Sequence, residues 1–237
     1  MKSKIIAKLP FLVILLVGVF FRLYGINWDN GFHFHPDERM LVMVADRIKL
    51  FSQLNPDFFN YGSLPIYILR GVSQLLEIGN KPGSIANYDG MLLVGRLLSV
   101  TNDMLVIIFI YLITHLLFKR KKFALFASAI YSVTFFPIQN SHFFIVDTFL
   151  NLYATALLYC SLLYIKHPKI KTLIIMAFFF AAAVTSKITA LVFAPILLLV
   201  LLSPLIHIRN KNQMLKMVIH ILIFKLIVIA ATFLFMP

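Results

Sequence analysis

The feature that most constrains the fold of this chain is a series of long apolar runs separated by short polar or basic segments. A helix needs about 20 mainly apolar residues to cross the roughly 30 Å hydrocarbon core of a bilayer. Hydrophobic residues make up 61% of the chain and charged residues 13%, whereas about 25% of the residues of a soluble domain are charged. We therefore predict an all-α polytopic membrane protein.

The lengths of the apolar runs predict about seven transmembrane helices and one large loop between the first two. The predicted spans are residues 9–25, 91–118, 123–139, 143–165, 172–186, 188–206 and 215–236. Within the loop, residues 27–90, the segment 64–78 is apolar but short and carries Arg70 and Glu77. We predict that this segment is an amphipathic interfacial helix rather than a span.

The charge distribution predicts the orientation of these spans. The chain has 22 Lys and Arg against 9 Asp and Glu, yet residues 27–90 hold seven acids and five bases. The basic excess lies in clusters between apolar runs, which is the pattern of cytoplasmic loops rather than of a nucleic-acid interface. We predict a plasma-membrane protein with no nucleic-acid partner and a cytoplasmic amino terminus after Lys2, Lys4 and Lys8. Residues 119–122, 166–171 and 207–216 would then be cytoplasmic, and the loop and the turns near residues 141 and 187 extracytoplasmic.

Two adjacent carboxylates in the large loop are candidates for chemistry. Asp37 and Glu38 follow His35 and Pro36, and carboxylates held on a constrained turn suit general-base catalysis or metal binding. The alternative is a solvated polar loop. The single cysteine, Cys160, lies in an apolar run, so neither a disulfide framework nor a multi-cysteine zinc site is available.

Two charged residues near the outer ends of spans are further candidates. Asp147 is the last acid of the chain, and it could act in a site or serve as a helix-terminal acid stabilised by the helix dipole. Lys187 is the only charge in residues 172–206, and it could bind an anionic head group or extend to the interface. For Arg96 and Asp103, seven residues apart in the second span, we predict a structural ion pair.

Several short motifs occur in an order that resembles a known enzyme family. They are His-Pro-Asp-Glu at 35–38, Tyr-Gly-Ser-Leu-Pro-Ile-Tyr at 61–67, Gly-Arg-Leu-Leu-Ser at 95–99, Asn-Ser-His-Phe-Phe-Ile-Val-Asp at 140–147 and Thr-Ser-Lys at 185–187. Together with the basic amino terminus and the outer loop, they resemble the GT-C glycosyltransferases. The more specific likeness is to the protein O-mannosyltransferase and aminoarabinose-transferase-like branch.

The resemblance implies an enzyme that transfers a hexose or pentose, with inversion, from a polyprenyl-phosphate donor to an extracytoplasmic protein, lipid or glycan acceptor. Asp37 matches the family's catalytic base. Glu38 and Asp147 would orient the acceptor and sugar, or bind a divalent cation with Asp37 if Mg²⁺ or Mn²⁺ is used. The expected substrate-binding residues are Asp147, His142, Lys187, Arg39 and His35, of which the last three are candidates for the donor phosphate.

Family members usually have several more spans and often a soluble carboxy-terminal domain. We therefore expect residues 1–237 to be a GT-C-like transmembrane module, either a fragment of a longer chain or a module whose remainder lies in another chain. The alternative function is a non-catalytic polyprenyl-phosphate-binding or flippase-like membrane protein. Only the enzyme would consume polyprenyl-phosphate sugar in the presence of an acceptor.

Overall fold

The structure, a computed structural model, describes residues 9–49, 52–207 and 210–236, and these residues form ten α-helices and no β-strand. The helices are α1 (Leu9–Leu23), α2 (Pro36–Arg47), α3 (Leu64–Glu77), α4 (Tyr88–Phe118), α5 (Lys121–Ser132), α6 (Phe135–Ser141), α7 (Val146–Lys166), α8 (Ile170–Ser186), α9 (Ala194–Leu202) and α10 (Lys211–Phe235). Two 3₁₀ segments, Ile188–Phe193 and Ser203–His207, flank α9. The predicted all-α class is confirmed.

Within the part of the chain that the structure describes, four segments are long and apolar enough to cross a membrane: α4, α7, Ile188–Leu205 and α10. Helices α1 and α8 are apolar but shorter. A multi-pass membrane protein is thus confirmed, while seven crossings remain a prediction. Residues 123–139, predicted as one span, form two helices because the chain leaves helical geometry at Val133 and Thr134. Lys2, Lys4, Lys8, Arg209 and Pro237, on which parts of the predicted topology rest, lie outside the described residues.

The chain divides into two compact units, of which the first comprises Met1–Phe58 and Pro65–Leu152. Within it, α4 packs against α1 and α5. A Cβ at Gly18 of α1 would lie 2.9 Å from Ile107 Cδ1 and 3.3 Å from Met104 Sδ of α4. The glycine therefore allows α1 and α4 to approach closely, as small residues do between membrane helices.

Helix α3 occupies the position predicted for an interfacial helix, and its two charged side chains bind the chain that follows it. Glu77 accepts hydrogen bonds from the backbone N–H groups of Ile85 (3.1 Å) and Ala86 (3.0 Å). Arg70 donates to the carbonyl oxygen of Ala86 at 2.7 Å. These contacts fix the segment that ends at Asn87, whose side chain caps the N-terminus of α4 by accepting from Gly90 N at 2.6 Å.

The second unit comprises Phe59–Leu64 and Tyr153–Pro237. Its core lies between α8 and α10 and includes buried residues of α7 and α9. Helix α8 ends at Ser186, and Lys187 has extended backbone geometry before the first 3₁₀ segment begins at Ile188. A break in the α-helix therefore lies at Lys187, and the turn between two membrane spans at this point remains a prediction.

The orientation can be tested by cysteine labelling in a Cys160→Ser background. With residues 27–90 outside and 119–122 inside, an impermeant maleimide applied to intact cells should label a cysteine at Lys81 but not one at Lys121. After permeabilisation, both positions should react. Labelling of a cysteine at residue 121 in intact cells would contradict the predicted topology.

Candidate active site

One buried guanidinium organises the candidate site in the first unit. Arg96 of α4 has an exposed fraction of 0%. It donates to both oxygens of Asp29 at 2.8 Å each and to the two oxygens of Glu38 at 2.9 and 2.7 Å. A fifth hydrogen bond, of 2.9 Å, reaches the carbonyl oxygen of Ile26. Buried charges are stable only when paired and hydrogen-bonded in this way, so the network fixes the loop after α1 to α4.

Glu38 also connects this network to the segment before α7. Its Oε1 accepts a hydrogen bond of 2.8 Å from the backbone N–H of Phe144. A Cβ at Gly95 would lie 2.6 Å from Phe144 Cγ, so only glycine lets the phenyl ring lie against α4 at this point. These contacts bring together three motifs of the family resemblance, at residues 35–38, 95–99 and 140–147.

Asp29, which the sequence analysis did not single out, holds the turn that leads into α2. Besides binding Arg96, its carboxylate accepts from the backbone N–H groups of Gly31 (3.2 Å) and Phe34 (3.3 Å). Burial raises the pKa of Asp29, but the Arg96 hydrogen bonds and charge and the two backbone donors outweigh it and lower the pKa to about 2. Because this pKa lies below the usual value of about 3.9, the stabilisation is complete above that pH and is lost as the pH falls toward 2.

Asp37 lies in the first turn of α2, not on an irregular turn. The helix begins at Pro36, which suits the first helical position, and His35 Nδ1 caps it by accepting from Glu38 N at 3.4 Å. The His35 ring stacks on Phe143 with centroids 4.3 Å apart. Asp37 is half-buried and sits at a helix N-terminus, where the helix dipole stabilises a carboxylate. Its side chain therefore remains accessible at the start of α2.

Asp147 occupies the corresponding position in α7, in the first turn. It is half-buried and follows Phe144 by three residues. Phe144 N donates to the Glu38 carboxylate, so the segment that leads into α7 is attached to the first turn of α2. Asp37 and Asp147 thus belong to the first turns of two helices whose neighbouring residues are joined by this bond.

The other substrate-binding candidates of the first unit differ in accessibility. Arg39 is exposed on α2. Both ring nitrogens of His142 lie against backbone carbonyl oxygens, Nδ1 2.8 Å from Ile138 O and Nε2 2.9 Å from Tyr24 O. His142 therefore links the end of α6 to the segment after α1, and contact with a substrate would require one of these bonds to break.

Lys187 is held by a contact between two further motif segments, residues 61–64 and 185–187, which both belong to the second unit. The backbone N–H of Gly62 donates to Ser186 O at 3.0 Å, and a Cβ at Gly62 would lie 1.8 Å from Thr185 O. A side chain at residue 62 would prevent this contact. The Lys187 ammonium lies 6.0 Å from the centroid of the Tyr61 ring, within cation–π range. The motifs at residues 61–67 and 185–187 therefore fix the lysine's position together.

The predicted ion pair between Arg96 and Asp103 is wrong. Asp103 instead accepts from Arg22 Nε of α1 at 2.6 Å and from the Tyr131 hydroxyl of α5 at 2.6 Å. Seven residues of helix separate Arg96 from Asp103 by about 10 Å along the axis, so each charge pairs with a neighbouring element rather than along α4.

The three carboxylates proposed for a divalent cation do not form a set that fits one. Among the described residues, no group of three or more His, Cys, Asp or Glu side chains could hold a metal ion. Both Glu38 oxygens are bound by Arg96, which leaves Asp37 and Asp147 as the accessible members. Dependence of the activity on Mg²⁺ or Mn²⁺ therefore remains a prediction.

Comparison with known proteins identifies the family to which the chain is similar. A family model described as dolichyl-phosphate-mannose-protein mannosyltransferase matches residues 88–234. The solved structure of the S. cerevisiae protein O-mannosyltransferase Pmt1-Pmt2 complex bound to the sugar donor superimposes with a TM-score of 0.75 at 17% sequence identity. The match covers 99% of this chain and 33% of that chain, so this chain spans about a third of the relative's length. A search of curated proteins gave no match.

Proposed function

Because the chain belongs to the dolichyl-phosphate-mannose-protein mannosyltransferase family, we propose that it is a glycosyltransferase that uses a polyprenyl-phosphate sugar donor. The acceptor is a protein, lipid or glycan on the extracytoplasmic side, and transfer inverts the anomeric configuration. The observation that carries the proposal is the hydrogen bond from Phe144 N to Glu38, which joins the residue after Asp37 to the segment that leads into Asp147, beside the buried Asp29–Glu38–Arg96 network. A donor-bound relative with the same fold supports the donor class.

In the proposed reaction an acceptor hydroxyl oxygen attacks the anomeric carbon while the bond from that carbon to the phosphate oxygen breaks. Asp37 takes the hydroxyl proton, and the polyprenyl phosphate leaves from the opposite face of the sugar with the bonding electrons. Asp147 orients the acceptor or the sugar. Glu38 acts as a positioning residue, since its side chain is 0% exposed and its oxygens bind Arg96 and Phe144 N.

Positive groups stabilise the charge that develops on the departing phosphate. Lys187 is the first candidate for this role. Its ammonium lies within cation–π distance of Tyr61, and the close contact of residues 62 and 185 fixes the neighbouring backbone. Arg39 and His35 are the secondary candidates for phosphate binding.

Replacing Lys187 with Met should raise the donor KM about ten- to a hundredfold, because a charge-assisted contact to phosphate would be lost. Lys187→Arg should retain much of the affinity. Lys225→Met is the matched control, since Lys225 is an exposed lysine in the apolar helix α10, and its donor KM should stay near the wild-type value. Equal donor KM in Lys187→Met and wild type would mean that Lys187 only extends to the membrane interface.

Turnover decides between the enzyme and a non-catalytic lipid-binding protein. Membranes containing the complete protein should be incubated with a panel of polyprenyl-phosphate hexoses and pentoses, an acceptor mixture, and either Mg²⁺ or EDTA. The proposal predicts acceptor-dependent release of polyprenyl phosphate from at least one donor. Donor binding without release across the panel would favour the non-catalytic function.

A further inference from the structure

The second unit contains a cavity of about 480 Å³ at the ends of α7 and α10 and beside the 3₁₀ segment Ser203–His207. This volume lies within the range of small-ligand sites. Helix α8 begins near the cavity, at Ile170, and ends before Lys187, about 25 Å away along its axis. The cavity is therefore separate from the lysine assigned to the donor phosphate.

The polar side chains that line this cavity include two lysines and no acid. Lys166 and Lys216 contribute ammonium groups, Gln213 contributes an amide, and the Ser203 hydroxyl donates to Val200 O at 2.7 Å. The hydroxyl of the fully buried Tyr164 lies 2.8 Å from His220 Nδ1, so a polar pair is held inside the cavity wall. The remaining lining is largely apolar and includes Met217.

The unit that forms the cavity is rich in basic residues. Residues 59–64 and 153–237 contain eight Lys and Arg and no Asp or Glu. Cationic side chains clustered over apolar surface at a membrane boundary favour an anionic ligand that also carries an apolar part. Lys166, at the end of α7, and Lys216, near the start of α10, belong to the segments 166–171 and 207–216, which the charge pattern predicts to be cytoplasmic.

We propose that this cavity binds the phosphate group of an anionic membrane phospholipid. Lys166 and Lys216 contact the phosphate oxygens, His220 offers the ring nitrogen that does not face Tyr164 to the head group, and the acyl chains leave along the apolar lining. The ligand is a phosphate ester attached to a lipid. A soluble phosphate would make only the contacts with Lys166 and Lys216.

The test is a lipid titration of the purified chain in neutral detergent, where no membrane surface potential contributes, read by native mass spectrometry. The probes are phosphatidylglycerol, the neutral lipid phosphatidylcholine and inorganic phosphate as a competitor. Phosphatidylglycerol should bind at least about tenfold more tightly than phosphatidylcholine. The double variant Lys166→Gln with Lys216→Gln should lower phosphatidylglycerol affinity by about thirtyfold, about fivefold for each lysine, without changing phosphatidylcholine affinity.

Lys211→Gln is the matched control, because Lys211 is exposed at the start of α10 but does not line the cavity. The affinity of this variant for phosphatidylglycerol should change less than twofold. Two further variants keep the test decisive if the neutralised protein is unstable. The double variant Lys166→Arg with Lys216→Arg should retain the preference for phosphatidylglycerol over phosphatidylcholine. Met217→Trp should reduce phosphatidylglycerol binding, because the larger side chain fills the cavity without altering its charge. Equal affinity for the two lipids, or an equal loss in Lys211→Gln, would overturn the proposal. Displacement of phosphatidylglycerol by equimolar inorganic phosphate would overturn the assignment to a lipid.

Discussion

Replacing Asp37 with Asn is expected to lower turnover of the complete enzyme by about 10²- to 10⁴-fold, the range typical of a lost general base. The amide keeps the shape of the side chain but cannot take the acceptor's proton. Donor binding should survive, because the phosphate contacts are assigned to other residues. The measurement is acceptor-dependent release of polyprenyl phosphate, alongside donor binding measured separately in the same membranes.

Asp46→Asn is the matched control for this variant. Asp46 lies near the other end of α2, is exposed, and has only a 3.8 Å contact to Arg70, so its loss should change turnover less than about twofold. If Asp37→Asn inserts correctly and turns over at nearly the wild-type rate, Asp37 is not the base, and Asp147 becomes the candidate. Loss of donor binding in step with turnover would also contradict the assigned role.

The second large effect is expected on stability, from Arg96→Met. This change leaves the buried carboxylates of Asp29 and Glu38 without their counter-charge, and removing one partner of a buried ion pair typically costs about 3 to 5 kcal/mol. Thermal unfolding of the purified chain in neutral detergent should shift down by roughly 6 to 20 °C for a protein of this size.

Two comparisons identify the cause of that shift. Arg120→Met removes an exposed arginine that makes no side-chain capping bond at the start of α5, and it should leave the unfolding temperature nearly unchanged. Adding Asp29→Asn and Glu38→Gln to Arg96→Met removes the uncompensated charges and should restore part of the lost stability. If Arg96→Met unfolds at the same temperature as Arg120→Met, the network does not stabilise the unit.

Much of the helical architecture could be predicted from local sequence properties. Apolar runs indicated most of the long helices, and the charge at Lys187 marked the end of α8. The order of short motifs predicted the family, which the match over residues 88–234 confirms. Helix α2 was missed because it is short and polar, although Leu41, Ala45 and Ile48 follow a helical spacing and all three are buried.

The site depends on contacts that no local pattern specifies. Asp37 could be selected from its motif, whereas the role of Asp29 and the burial of Glu38 depend on Arg96, which is 67 and 58 residues away along the chain. The same holds for Asp103, whose partner is Arg22 of another helix rather than the arginine on its own helix.

The sequence by itself therefore determined that the chain forms membrane helices, where most of them lie, and which family motifs are present and in what order. Hydrophobic length and clusters of basic residues act locally, since each run must satisfy its own backbone hydrogen bonds and its own apolar surface in the bilayer. Only the tertiary structure decided which charges are paired, which carboxylates remain accessible, and which glycines allow close contact. Those outcomes depend on which helix faces pack together, because a buried charge is stable only beside a partner that packing has placed within hydrogen-bond distance.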